Sequence, residues 1–285
     1  MGRMQAPETA PVGVFDSGVG GLTILQSLRA ELPYERFVYF GDTGNCPYGT
    51  RTEADIRQLA VQAANVLIRR GAKLIVVACN TASVVALGEL RDTFTLPIVG
   101  VVPAIKPAAE CTRTGRIGVA ATEASANGTY LHRLIADHAN GVQVLAAGCP
   151  DLVTLAESGV LEGPVAESAI ERYIRPMLAA GIDRLVLGCT HFLAMRQAFE
   201  RVAGPGVTII DSGAAVARQT RRRLLESGLL APETATAGRG DAAMTAREDE
   251  FWCSGDAAQF SQVAATILHE AVPARQTSDM VLHTE

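Results

Sequence analysis

The sequence predicts an α/β protein of two similar three-layer αβα domains with mainly parallel sheets, and three observations carry that prediction. Short runs rich in Val, Ile and Leu alternate with longer stretches of helical period, the pattern of parallel strands covered by helices on both faces. The chain has 285 residues, 48% of them hydrophobic, which is ample for two cores. The chain also echoes itself. GVFDSG (Gly13 to Gly18) leads to ACNTA (Ala78 to Ala82), as GVAATEAS (Gly118 to Ser125) leads to GCTHF (Gly188 to Phe192), so the two units are expected to be pseudo-symmetric.

Strands are predicted at VGVFD (12–16), RFVYF (36–40), KLIVVA (73–78) and PIVGVV (97–102). Four more are predicted at RIGVAA (116–121), VQVLAA (142–147), DRLVLG (183–188) and GVTIID (206–211). Each is a short apolar run of strand length, and eight are enough for two sheets. The clearest helix takes Thr52 as its N-cap and carries Ile56, Leu59, Ala60, Ala63 and Leu67 on one face. It stops at Gly71, after two arginines. Residues 231–250, rich in Ala, Gly, Pro, Thr and charge without periodicity, read as a linker or exposed loop. A last helix follows with Phe260, Val263, Ile267 and Leu268 as its packing face, and the final dozen residues are expected to fray.

Composition excludes several function classes. A formal charge of −5 with few basic clusters argues against nucleic acid or an anionic membrane as partner, and Arg221 to Arg223 reads as a solvated helix face. The only lysines are Lys73 and Lys106, neither well placed to form an aldimine, which argues against a pyridoxal enzyme. No apolar run is long enough to span a membrane and MGRMQAPETA lacks the apolar core of a signal peptide, so a cytoplasmic location is expected. The six cysteines, at 46, 79, 111, 149, 189 and 253, form no C-x-x-C pair and give little support to disulfides or structural zinc.

Open α/β sheets bind ligands beyond the carboxyl ends of their strands, where free helix-start amides point. Cys79 and Cys189 both fall there, the first followed by Asn80 and Thr81, the second by Thr190 and His191. Asp16 and Ser17 end the first strand in the same layer. A helix start favours thiolate, and the flanking polar groups suit a carboxylate or another small anion. One Cys-His pair would point to a nucleophile. Two facing cysteines point instead to two acid/base groups on opposite sides of one carbon.

Rival readings are weaker. GVFDSGVGGLT fails as a dinucleotide loop because position 23 is Thr, although Gly41-Asp42 sits about where a ribose-binding acid would. Gly18, Gly20 and Gly21 are explained as readily by a tight turn near a small ligand. In GDTGNCPYGTR, Tyr48 and Gly49 form either a pocket wall or a rigid turn, and Cys46 has no assigned role. Cys111, Cys149 and Cys253 read as packing residues.

GVFDSGVGGLT, YFGDTGNCPYGTR, VVACNTAS, LAESG, LVLGCTHF and DSGAAVA, in this order and spacing, resemble the bacterial glutamate racemases of the aspartate/glutamate racemase superfamily. The resemblance runs from about Pro11 to Leu230, and FWCSGDAAQF resembles that family's terminal strand-helix unit. It implies cofactor-independent, two-base interconversion of L-glutamate and D-glutamate, with D-glutamate going to peptidoglycan. By resemblance the catalytic cysteines are Cys79 and Cys189, assisted by Asp16 on one side and by Glu157 and His191 on the other. Substrate contacts carry over to Asp16, Ser17, Tyr48, Gly49, Asn80, Thr81, Thr190 and His191, with no metal and no cofactor.

The resemblance also implies a first domain of residues 1–101 plus 212–285, a second of 102–211, an active site in the cleft between them, and a homodimer. VVPAIKPAA (Val101 to Ala109) would mark the crossing between domains. The chain departs from the family pattern at Leu193, at Asn45-Cys46 and in the length of the 231–250 segment. Two alternatives stay open: a related racemase acting on aspartate or a hydantoin, and a non-catalytic amino-acid-binding protein.

Overall fold

The computed structural model describes residues 7–233 and 249–278. The chain begins with β1 (Val12–Asp16), α1 (Leu22–Glu31), β2 (Phe37–Gly41), α2 (Glu53–Arg69), β3 (Leu74–Val77), α3 (Asn80–Thr93) and β4 (Ile98–Gly100). It crosses through α4 (Ile105–Cys111) into β5 (Arg116–Ala121), α5 (Glu123–Ala126), α6 (Thr129–His138), β6 (Gln143–Gly148), α7 (Pro150–Glu157) and α8 (Pro164–Ala179). Then come β7 (Arg184–Leu187), α9 (Thr190–Ala194), α10 (Arg196–Ala203), β8 (Thr208–Ile210), α11 (Gly213–Glu226), β9 (Glu250–Cys253), α12 (Ala257–Leu268) and β10 (Ala274–Gln276).

Two sheets result, one ordered β10-β9-β2-β1-β3-β4 and one ordered β6-β5-β7-β8, with every pair parallel. The core of the first, β2-β1-β3-β4, repeats strand for strand in the second. Register repeats too: Phe15 faces Val77 across β1 and β3, and Ala120 faces Leu187 across β5 and β7. The sequence echo is therefore a structural one, and it puts Cys79 and Cys189 at equivalent strand ends.

All eight predicted strands form: β1 and β5 with the predicted bounds, β3, β4, β7 and β8 trimmed at their ends, and β2 and β6 moved one residue onward. β1, β2 and β3 are buried at every residue, as apolar runs covered on both faces must be. α2 follows the prediction closely. Thr52 Oγ1 accepts from the Asp55 backbone N–H, the five predicted apolar residues are buried, and Gly71 turns the chain out at φ +80°. Leu67 closes against Gly13 of β1, where a β-carbon on the glycine would stand 3.0 Å from the leucine.

On the opposite face of the first sheet, Val14 and Val76 pack with α1 and continue into Leu185, Leu187 and Phe192 of the second unit. One apolar core thus spans both sheets. The chain crosses between them twice, and Ser212 Oγ in the returning segment donates to the Val102 carbonyl in the outgoing one.

The C-terminal expectation needs correction. Instead of fraying from 274 onward, Ala274–Gln276 adds to the sheet edge beside β9, and residues 279–285 lie outside the described ones. Most of the 231–250 segment also lies outside them, but its flanks are anchored. Ala231 N–H donates to Glu35, whose carboxylate pairs with buried Lys73 at 2.6 Å. Asp249 pairs with Arg29 at 2.8 Å and accepts from Phe37 N–H, which seats β9 next to β2. Among the described residues no helix is long and apolar enough to cross a membrane.

Candidate active site

The first half-site grows from the ends of β1 and β3. Cys79 leaves β3 as the N-cap of α3, and its Sγ accepts from the Ala82 N–H at 3.4 Å. The thiol donates to Ser17 Oγ at 3.5 Å, and Ser17 donates to Asp16 Oδ1 at 3.1 Å, so the three residues form a chain from sulfur to carboxylate. Asn80 and Thr81 are buried in the first turn of α3.

The second half-site stands at the end of β7. Cys189 Sγ lies 3.7 Å from His191 Nδ1, and His191 Nε2 lies 2.5 Å from Glu157 Oε1 at the end of α7. The same oxygen accepts from the Val19 N–H at 2.7 Å. Thr190 Oγ1 donates across to Asp16 Oδ2 at 2.8 Å. These last two bonds join the halves directly.

Such closeness explains the glycines after Asp16. A β-carbon on Gly18 would overlap the Glu157 carboxylate, and one on Gly20 would stand 2.5 Å from the His191 backbone nitrogen. The glycine-rich turn therefore makes room for the opposite half-site.

Burial governs the electrostatics. The Cys79 thiol is pushed up to about 12, by desolvation first and by the Asp16 charge second, against the help of Ala82 N–H and Ser17. The thiolate preference expected of a helix start is thus overridden. Asp16 is also raised, mainly by burial, although His191 and Thr190 pull it back. For His191 burial works against the charged ring, but contacts with Cys189, Cys46 and Glu157 outweigh it and hold the imidazole well above its ordinary value.

The remaining expectations divide. Tyr48 is buried and its hydroxyl donates to Asp42 Oδ2 at 2.6 Å, so it braces a loop through its polar end. Asp42 also accepts from Asn45 and Ser254, so three side-chain bonds already engage the acid that stands about where a ribose-binding one would. Gly49 packs against Thr122, whose hydroxyl meets Thr81 Oγ1 at 3.2 Å. Cys253 is buried as expected, whereas Cys111 is exposed and no packing residue. Cys149 is buried too, as a packing residue should be, and stands between β6 and α7. Leu193 is accommodated within α9.

Two residues were missed. Thr122 holds the place in β5 that Ser17 holds in β1, which alignment of the two echo segments would have revealed. Cys46 lies against His191 and Glu157, and no sequence signal places a loop thiol there.

Comparison with known proteins identifies the family. The family model for Asp/Glu/Hydantoin racemase matches residues 22–220. A glutamate racemase from Herpetosiphon aurantiacus is 47% identical over 253 residues, covering 89% of this chain and 96% of its own. The crystal structure of Escherichia coli glutamate racemase with L-glutamate and the activator UDP-MurNAc-ala superposes with a TM-score of 0.80 at 36% identity, covering 94% of this chain and 97% of that one. Glutamate racemase from Francisella tularensis with D-glutamate gives 0.79 at 27% identity, covering 95% and 98%. With a family match over most of its length and relatives this similar, the chain belongs to the Asp/Glu/hydantoin racemase family.

Proposed function

We propose that this chain is a cofactor-independent glutamate racemase, with Cys79 and Cys189 as the two bases. The observation that carries the reading is the pair of thiols at equivalent ends of repeated strands, joined through Asp16 and Thr190. In each direction one thiolate takes the Cα proton, forming S–H as the C–H bond breaks. The opposite thiol delivers its own proton to the other face, and the two cysteines exchange roles on the return. Asn80, Thr81 and Thr190 supply donors for the carboxylate as charge develops on it.

Burial beside the Asp16 charge pushes the Cys79 thiol up to about 12, which disfavours its thiolate at neutral pH. An α-ammonium arriving beside Asp16 supplies the positive charge that makes a Cys79 thiolate accessible. His191 and Glu157 shuttle the proton at Cys189. Glutamate is favoured over aspartate or a hydantoin by the names of the similar proteins, and a binding protein without turnover would have no use for two thiols so placed.

The same reading assigns D-glutamate to peptidoglycan synthesis, a cytoplasmic location and a homodimer. It divides the chain into 1–101 with 212–285, and 102–211. Incubation with L-glutamate in deuterated water, without cofactor, tests it. D-glutamate should appear carrying deuterium at Cα, while aspartate and hydantoins turn over far more slowly. Absence of Cα exchange with either glutamate enantiomer in a folded, reduced protein would refute it.

A further inference from the structure

The loop between β2 and α2 carries a thiol that proton transfer at Cα does not require. Cys46 is free and half-buried. Its sulfur, a ring nitrogen of His191 and a carboxylate oxygen of Glu157 all lie within 4.8 Å of one another. Thiolate, imidazole and carboxylate together are a ligand set that zinc takes, with bonds of about 2.0–2.3 Å and tetrahedral geometry. Such bonds place neighbouring ligand atoms roughly 3.3–3.7 Å apart. The His191–Glu157 contact of 2.5 Å would open by about an ångström at most, and Cys46, no more than 4.8 Å from either partner, would close by little more than about an ångström.

Two further features favour an ion here. Glu157 Oε1 is already held by the Val19 N–H, and the imidazole is fixed from its other side by Cys189, so two of three ligands are oriented in advance. A cavity of about 200 Å³, lined by Cys46 and Glu157 with Val19, Thr43 and Phe260, gives access and room for a water as fourth ligand.

We propose that Cys46, His191 and Glu157 form a zinc site that inhibits the enzyme. Binding releases the thiol proton and the ring proton to solvent and changes no oxidation state. The ion interrupts the His191–Glu157 contact through which the carboxylate acts at Cys189, so proton transfer on that side stops. The site goes beyond the racemase reading, because zinc binding is measurable without turnover.

The test titrates the full-length reduced protein with Zn2+ against a chromophoric chelator, beside Cys46→Ser, Cys46→Ala, Glu157→Gln and Cys79→Ser. Co2+ is used in parallel to read a thiolate charge-transfer band. One equivalent should bind, and both Cys46 variants should weaken binding by at least ~10-fold and remove the band. Glu157→Gln should also weaken it, whereas Cys79→Ser should leave it intact. Zinc inhibition, scaled to each variant's own metal-free rate, should shift in parallel. Binding equally tight in folded Cys46→Ser or Cys46→Ala, or lost in Cys79→Ser, would place the ion on the catalytic thiols and overturn the proposal. Failure to bind one equivalent of zinc would overturn it as well.

Discussion

The two halves of this molecule share strand order and a strand-end cysteine, yet they supply the acid beside it differently. In the first unit the acid is Asp16, the last residue of β1, linked to Cys79 through Ser17. In the second unit the same two positions hold Ala121 and Thr122, so that strand offers no carboxylate. The acid comes instead from the end of α7, as Glu157 acting through His191. A repeated scaffold fixes where the two thiols stand, while the partner can come from any element packed over the strand end. Neither half is self-contained, since Thr190 bonds Asp16 and Glu157 bonds Val19.

The comparison is broken most severely by removing a thiol. Cys79→Ser and Cys189→Ser should each reduce racemisation by about 10³-fold or more, measured as the approach to optical equilibrium, because a hydroxyl is a far poorer base. Retention of even a tenth of the rate in either variant would mean that one thiol suffices.

Next in size are the second-half partners. Glu157→Gln and His191→Asn should slow turnover by about 10²-fold. His191→Asn should also alter the pH dependence of stability. The folded value of His191 is raised, so its stabilising contribution is complete below the ordinary 6.5 and disappears as pH rises through the folded value. Thermal unfolding across that alkaline range should therefore decline less in His191→Asn than in the wild type.

The first half should answer differently. Burial raises the folded value of Asp16, so stability falls as pH climbs from 3.8 through that value and the carboxyl costs the fold above it. Asp16→Asn should stabilise the fold by about 1 kcal/mol in denaturant titrations at pH 7 while lowering activity. Activity lost together with stability would show that Asp16 serves the fold first.

The smallest effect concerns reactivity. In the substrate-free protein, iodoacetamide at neutral pH should label exposed Cys111 well before buried Cys79, as read by peptide mass spectrometry. Fast labelling of Cys79 would mean that its thiol is more acidic than burial dictates.

Much of this was legible in the sequence because the signals are local. Continuous apolar runs marked β1, β3, β5 and β7, and Thr52 and Gly71 bounded α2, since strand burial and helix capping depend on neighbours in the chain. The cysteines stood out because each ends such a run. What escaped depends on distant contacts. β10 is three residues long and has little pattern of its own, so it exists because β9 offers an edge. The thiol state of Cys79 was misread because helix-start stabilisation is visible in sequence and full burial is not. Cys46 meets His191 only after the chain has folded.

The claim that each thiol serves one face of the substrate is tested most directly by isotope washout. Cα-deuterated L-glutamate and D-glutamate are incubated separately in ordinary water with Cys79→Ser and with Cys189→Ser, and the remaining Cα deuterium is followed by NMR. Each variant should exchange one enantiomer without inverting it, and the two variants should select opposite enantiomers. Exchange of the same enantiomer by both, or of both enantiomers by either one, would contradict the assignment of one cysteine to each face.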